Sequence, residues 1–128
     1  MADQKEEKTI KDTMETMKKR RGYVPPVWAY AAEKDPDFVQ ASNHLTNMGF
    51  KDGKALPAKM RELIAIGILA FRGREAGVYE HIRRALNHGA TKQEVLEALE
   101  TAMIAGGNPT FNLGVTALLK IEEEDKKK

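Results

Sequence analysis

Apolar residues recur at intervals of three and four positions along most of this chain, which is the spacing of a helix that buries one face. The clearest case follows the run Thr91–Glu94, which has the form of a capping box. Val95, Leu99 and Met103 then fall on one helical face. No segment shows the strict alternation of a half-buried strand. The pattern predicts an all-α, single-domain bundle of six to seven helices with short connections.

Glycine and proline mark where these helices end and begin. Gly22, Gly73 and Gly89 each follow an apolar periodic segment, as a residue at a helix end does. Proline is accepted in the first helical turn, and Asp or Asn before it favours a start there. Helix starts are therefore predicted at Pro26, Asp35-Pro36, Pro57 and Asn108-Pro109.

The same spacing assigns an inward face to each helix. In the helix after Asp35 we expect it to consist of Phe38, Ala41, Leu45 and Met48. In the helix after Pro57 we expect a broad face of Met60, Leu63, Ile64, Gly67, Ile68 and Ala70. In the last helix we expect Phe111, Val115, Leu118 and Leu119. Both ends are dense in charge, so we expect residues 1–21 to begin frayed before a short amphipathic helix, and residues 122–128 to fray.

The amino-acid composition excludes several kinds of functional site. The 128 residues include no cysteine, which excludes disulfides, thiolate zinc sites and cysteine nucleophiles. A formal net charge of +2 gives no reason to expect a nucleic-acid or anionic membrane partner. The sequence has no secretory signal pattern and no apolar run of about 18 residues, so we expect a cytoplasmic protein. No metal-ligand or phosphate-loop motif occurs, and no cofactor is expected.

Acid–base chemistry is best placed at His81. Val78 and Ile82 flank it on the apolar side of its helix, and Glu62 lies beside the apolar stripe of the preceding helix. If the two helices pack antiparallel across Gly73, the carboxylate and the imidazole can meet. That pairing is the base-plus-orienter half of many catalytic sites, and it is equally an ordinary buried ion pair between helices.

Two further side chains are candidate substrate ligands. Arg74, in the turn, could hold a substrate carboxylate with two hydrogen bonds. Tyr79 could add a hydroxyl. The other two histidines have plainer interpretations, since His88 stands at a helix end next to Gly89 and His44 has no evident partner.

Three stretches resemble the carboxymuconolactone decarboxylase and alkylhydroperoxidase D superfamily. They are Leu56–Ala65, His81–Thr91 with the helix Glu94–Leu99, and Gly106–Pro109, and the resemblance covers residues 23–121. It divides the chain into a charged N-terminal helical segment (1–22), the family domain (23–121) and a charged tail (122–128). It also implies an alkylhydroperoxidase D-like helical fold, a homo-oligomer, commonly a trimer or hexamer, and a small carboxylate as substrate.

The two branches of that superfamily imply different chemistry. In the alkylhydroperoxidase branch a Glu, two cysteines and a His act together, and these positions fall here on Glu62, Arg74, Gly77 and His81. With both sulfurs missing, a peroxiredoxin-type role is disfavoured. The decarboxylase branch, also without the cysteines, removes carbon dioxide from a lactone carboxylate without a cofactor. It implies His81 as proton donor or acceptor, Glu62 as its orienter and Arg74 as carboxylate anchor. A non-catalytic oligomeric scaffold is the alternative.

Overall fold

A computed structural model describes the backbone of residues 2–128 and the side chains of residues 9–128. The described residues form seven helices and no strand, which confirms the predicted all-α class. They divide into two compact units, residues 1–49 and 50–128. The first unit contains α1 (Ala2–Arg21), α2 (Pro26–Lys34) and α3 (Pro36–Phe50, whose last residue opens the second unit). The second contains α4 (Ala58–Phe71), α5 (Glu75–Asn87), α6 (Lys92–Gly106) and α7 (Asn108–Lys126).

The helix ends follow the local signals in the sequence. Thr91 Oγ1 accepts from the Glu94 amide while the Glu94 carboxylate accepts from the Thr91 amide, both at 3.0 Å, so the predicted capping box is present. Gly22, Gly73 and Gly89 have φ values of +85°, +72° and +90° just after α1, α4 and α5. Those backbone angles favour glycine, which is why each helix ends there. Helix α1 extends back to Ala2, so it is longer than the short amphipathic helix predicted for this segment.

The predicted inward face of α3 is wrong. Phe38, Leu45 and Met48 are exposed, and the buried residues are Val39 and Asn43. Val39 packs with Met17 and Ala32 in a small apolar cluster within the first unit. Asn43 is buried because Arg20 Nη1 donates to its Oδ1 at 3.0 Å, so a polar contact holds a position that apolar periodicity could not mark.

The core of the second unit is built from one face of each of its helices. Its fully buried large side chains include Ile66 of α4, Ile82 of α5, Leu99 of α6 and Ile121 of α7. The broad face predicted for α4 is correct only in part. Leu63 and Ala70 are buried, whereas its other large members, Met60, Ile64 and Ile68, are exposed.

Helices α4 and α6 run parallel with a constant register. Lys59 Nζ lies 3.1 Å from Glu94 Oε2 near the start of both helices, and a methyl group built on Gly67 would lie 3.4 Å from Ala102 Cβ. At their far ends, Phe71 lies beside Gly106. The separation of 35 positions between Lys59 and Glu94 is repeated in the other two pairs, so the two helices stay side by side along their length.

Helix α7 differs from prediction at its face and at its end. Three of the four residues predicted to face inward, Phe111, Val115 and Leu118, are partly buried and pack against the core, whereas Leu119 is exposed. The fully buried residues of the helix are Thr110, Gly114, Ala117 and Ile121. A Cβ on Gly114 would overlap the side chain of the buried Leu99, so α6 and α7 are in close contact at this glycine. The helix continues to Lys126, and the predicted fraying of residues 122–128 is wrong, because Glu122, Glu124 and Asp125 pair with cations described below.

None of the described helices combines the length and the apolar character that crossing a bilayer requires.

Candidate active site

The contact predicted between α4 and α5 is present. His81 Nδ1 lies 2.6 Å from Glu62 Oε2. The Glu62 side chain is 2% exposed and the His81 side chain 13%. An ionised carboxylate can only accept a hydrogen bond, so the imidazole donates from Nδ1. This fixes the ring orientation and makes Nε2 the acceptor of the neutral ring.

Packing on both helices holds the pair in place. Leu63 and Ile66 on α4, and Val78 and Ile82 on α5, are buried in the shared core. The neighbouring positions Glu62 and His81 therefore lie at the edge of that core rather than in solvent. The turn at Gly73 reverses the chain between the helices, which brings the first half of α4 beside the middle of α5.

The remaining surroundings of the imidazole include an aromatic ring. Phe50 lies with its ring centroid 4.9 Å from that of His81, at an interplanar angle of 43°. Within the part of the chain that the structure describes, no protein group bonds to His81 Nε2. Nε2 is therefore the atom that can exchange a proton with a ligand. Sequence reasoning missed Phe50 as a neighbour of this site because it follows Gly49 at the end of α3 and belongs to no apolar period there.

Arg74 and Gly77 lie on the same helix as His81, toward its start. Arg74 is the exposed residue immediately before α5, and the seven positions between it and His81 correspond to about 10 Å along a helix. Gly77 is half-buried, and a Cβ there would lie 3.4 Å from Leu69. The structure therefore places Arg74 at the turn between α4 and α5, about two helical turns from His81 and not in contact with the pair.

Tyr79 lies on the opposite side of α5 from His81, since two positions along a helix turn through about 200°. Its hydroxyl donates to Glu124 Oε2 at 2.5 Å. Arg83 and Lys120 lie over its ring, 5.6 and 5.0 Å from the centroid. The structure does not bring Tyr79 together with His81 and Glu62.

Around Tyr79, charged side chains join α5 and the start of α6 to the end of α7. Arg83 donates to Glu124 at 2.6 Å and to Asp125 at 2.8 Å. Lys92 pairs with Glu122 at 2.6 Å and with Asp125 at 3.1 Å. We call these side chains, together with Tyr79, the α7 network. Every carboxylate in it has a cation partner, and Tyr79 adds a neutral donor to Glu124.

Contacts within the α7 network shift the pKa values of its charged side chains. The hydrogen bond from Tyr79 and then that from Arg83 hold the pKa of Glu124 below its usual range. Arg83 and Lys92 do the same for the pKa of Asp125. Conversely, Asp125 raises the pKa of Arg83, and Glu122 raises the pKa of Lys92. These shifts are those of ion pairs that stabilise a helix end.

No metal centre accompanies the pair. Among the described residues, no group of three or more His, Cys, Asp or Glu side chains could hold a metal ion. Two cavities of the described residues also lie elsewhere. One is an apolar groove of about 710 Å³ between α4 and α6, and the other is a polar cleft of about 540 Å³ between α1 and α3.

The model of the carboxymuconolactone decarboxylase family matches residues 36–120, which run from the start of α3 almost to the end of α7. The chain belongs to the carboxymuconolactone decarboxylase family. The matched range includes Glu62 and His81, and also Arg74 and Gly77.

The chain is also similar to individual proteins of known sequence or structure. An uncharacterised protein of Methanocaldococcus jannaschii is 33% identical over 90 residues, which is 70% of this chain and 86% of that protein. The crystal structure of a candidate carboxymuconolactone decarboxylase from Burkholderia xenovorans is 25% identical, with a TM-score of 0.77 over 96% of this chain and 98% of that one. A carboxymuconolactone decarboxylase family protein from Legionella pneumophila is 24% identical and has the same fold, with a TM-score of 0.68 over 89% of this chain and 95% of that one.

Proposed function

We propose that this protein is a cofactor-free decarboxylase that acts on a small carboxylated lactone by acid–base catalysis. The observation that carries the proposal is the 2.6 Å contact between His81 Nδ1 and the buried Glu62 carboxylate, which leaves Nε2 without a protein partner. A carboxylate that orients an imidazole in this way is the arrangement used for proton transfer by a single histidine.

The reaction needs no more than one proton donor. The bond between the ring carbon and the carboxylate breaks, carbon dioxide leaves, and the electron pair passes into the conjugated lactone carbonyl. Nε2 of the protonated His81 then donates a proton to the resulting carbanion, and solvent restores that proton. Glu62 stabilises the imidazolium before the transfer. Arg74 is the proposed anchor for a substrate carboxylate, because it is an exposed cation before the same helix.

A peroxide-reducing role has less support. Arg74 and Gly77 stand where the two redox cysteines of the other branch would be, so no thiol is available to react with a peroxide.

A non-catalytic scaffold is the second candidate. It is favoured by the near-complete burial of Glu62. In that case the pair only joins α4 to α5, and its loss lowers stability without removing any turnover.

The test replaces the proton-transfer group without removing its hydrogen bond. In His81→Asn the amide can still donate to Glu62 but cannot carry a proton at neutral pH. We expect carbon dioxide release from a panel of carboxylated lactones to fall at least about 100-fold, the ordinary contribution of a general acid or base. The exposed His88→Asn is the matched control and should retain full activity.

The steady-state kinetics of an Arg74 variant separate substrate binding from proton transfer. Arg74→Ala should raise KM more than it lowers kcat, because a carboxylate anchor acts mainly in binding. Absence of turnover by the wild-type protein across the panel, or full activity of His81→Asn, would contradict the proposed decarboxylase.

A further inference from the structure

The hydrogen bond at Nδ1 does not by itself fix the plane of the His81 imidazole. The χ2 angle of histidine has a broad minimum, so a ring that Glu62 holds at one atom can still rock about that contact. Rocking changes the direction in which Nε2 points. Proton transfer depends on that direction, so a second contact on the ring is required to define it.

Phe50 supplies a contact of this kind. Its half-buried ring lies with its centroid 4.9 Å from that of the imidazole and is tilted by 43° to it. That separation is within the range that pairs of aromatic rings prefer. An apolar ring restrains the imidazole without competing for a hydrogen bond to Nε2, whereas a polar side chain in the same position could occupy the atom that the reaction uses.

The backbone that carries Phe50 is held from α4. Residues 51–57, which follow Phe50, form no helix, and all their side chains are exposed, so this segment has no buried side chain to fix its position. A hydrogen bond does so instead, because Arg61 Nη1 donates to the carbonyl oxygen of Lys51 at 2.9 Å. The residue next to Phe50 is therefore tied to the first turn of α4.

Two further contacts hold the same segment. The amide of Ala58 donates to Asp52 Oδ1 at 2.8 Å, so Asp52 bonds to the start of α4. A Cβ built on Gly53 would lie 3.3 Å from Arg61 Nη1, so the guanidinium lies close against Gly53. The segment after α3 thus has three points of attachment to α4, and Arg61 takes part in two of them.

Two consecutive residues of α4 therefore act on the same imidazole. Glu62 bonds to it directly, and Arg61 acts through the segment that begins with Phe50 and Lys51. We propose that Phe50 is a positioning residue that fixes the plane of the His81 imidazole. Arg61 positions Phe50 in turn, through the carbonyl of Lys51. The catalytic consequence of this arrangement rests on the proposed proton transfer by His81, whereas the restraint on the ring does not.

The first test measures the motion of the imidazole and needs no substrate. The chain has three histidines, so ¹³C relaxation of histidine-labelled protein gives three ring signals, with the exposed His44 and His88 as references. For the Cε1–H bond of His81 we expect an order parameter of about 0.85 in the wild-type protein and below about 0.6 in Phe50→Ala. Phe50→Tyr keeps the aromatic ring and should stay rigid. Phe38→Ala removes an exposed phenylalanine from the same helix and is the matched control, which should leave His81 unchanged.

The second test asks whether Arg61 acts through Phe50. Arg61→Met keeps an apolar stem but removes the donor to Lys51, and it should increase the motion of His81 by less than Phe50→Ala does. The exposed Arg72 at the other end of α4 offers the matched control, Arg72→Met, which should have no effect. Because both residues act on the ring through one contact, adding Arg61→Met to Phe50→Ala should produce no further motion.

Steady-state kinetics test the catalytic consequence. Phe50→Ala should lower kcat by about 10-fold to 100-fold, because a transferring group that is misplaced by about 1 Å loses up to about 100-fold in rate. KM should change by less than about twofold, because the position of the proton donor acts on the transfer step rather than on substrate binding. Phe50→Tyr should restore most of the lost kcat. Circular dichroism melting curves would establish that each variant is folded.

Three outcomes would overturn the role of Phe50. They are a rigid imidazole in Phe50→Ala, an equal gain of motion in Phe38→Ala, and a rise in KM with kcat unchanged, which would make Phe50 a substrate contact. An unchanged His81 signal in Arg61→Met would overturn the role of Arg61. If the wild-type protein releases no carbon dioxide from any lactone, the proposed function fails, while the relaxation measurement still decides whether Phe50 restrains His81.

Discussion

Helix α5 contacts carboxylates on two opposite sides, and the two sides differ in how far those carboxylates are exposed. On one side, His81 bonds to a single carboxylate, Glu62, whose side chain is 2% exposed. On the other side, Arg83 bonds to Glu124 and Asp125, whose side chains are 38% and 32% exposed. The distances are alike, at 2.6 to 2.8 Å.

The two sides differ in how deeply the carboxylates are buried and in how many partners each carboxylate has, and not in the contact distances. Among the residues whose side chains the structure describes, Glu62 has no second hydrogen-bond partner, and its side chain is shielded from solvent, so loss of the imidazole leaves a buried carboxylate uncompensated. In the α7 network, Glu124 and Asp125 have two partners each and are open to water and salt, so each keeps one partner when the other is lost. The first arrangement is suited to controlling one proton, and the second to holding a helix end.

The largest expected effect comes from removing the imidazole altogether. His81→Ala should lower the free energy of unfolding by about 3 kcal/mol, because the buried Glu62 loses its partner. His81→Asn keeps a donor for Glu62 and should lose less than half as much. Urea unfolding monitored by circular dichroism measures both. Equal stability of the wild-type protein and His81→Ala would show that the buried carboxylate is compensated by another group.

A smaller effect is expected on the opposite side of the helix. Arg83→Ala should lower the free energy of unfolding by about 1 kcal/mol, since ion pairs open to solvent contribute little each. Raising the salt from about 0.05 to 1 M should reduce this difference, whereas the difference between the wild-type protein and His81→Ala should persist. The same salt dependence for both variants would mean that the two sites do not differ in the way their burial indicates.

The smallest difference is expected at acid pH. Because folding lowers the pKa of Glu124 and Asp125, their contribution is present above the pKa that they have in the unfolded chain. It is lost as pH falls through their lower native pKa. The urea midpoints of the wild-type protein and Arg83→Ala should therefore converge between pH 5 and about 2. A difference that stays constant down to pH 2 would contradict the pairing of Arg83 with these two carboxylates.

The sequence predicted those parts of the fold that depend on neighbouring residues. The capping box at Thr91 and the helix ends at Gly73 and Gly89 need only local hydrogen bonds and backbone angles, which a short stretch of residues determines. The contact between Glu62 and His81 was also predictable, because helical spacing placed both beside a buried stripe and one short turn joined the two helices.

The parts that were not predicted depend on what covers a surface. Periodicity shows that Ile64 and Ile68 share a face, but not whether the same chain covers it, and the exposed stripe of α4 was therefore assigned to the core. The same limit applies to Phe38 and Leu45 in α3. The acidic end of α7 was expected to fray because its counter-charges, Arg83 and Lys92, stand far away in sequence.

The close contact between Gly114 and Leu99 sets how closely α7 approaches α6. Helix α7 is a continuous rod, and Gly114 lies about 15 Å along it from Glu124, at 1.5 Å for each residue. A methyl group at position 114 would press against Leu99, and a helix that tilts there moves most at its far end. A substitution in the core would then displace the carboxylates from Arg83 and Lys92 without altering any charged residue. We therefore expect the pairing of the α7 carboxylates with Arg83 and Lys92 to depend on glycine at position 114.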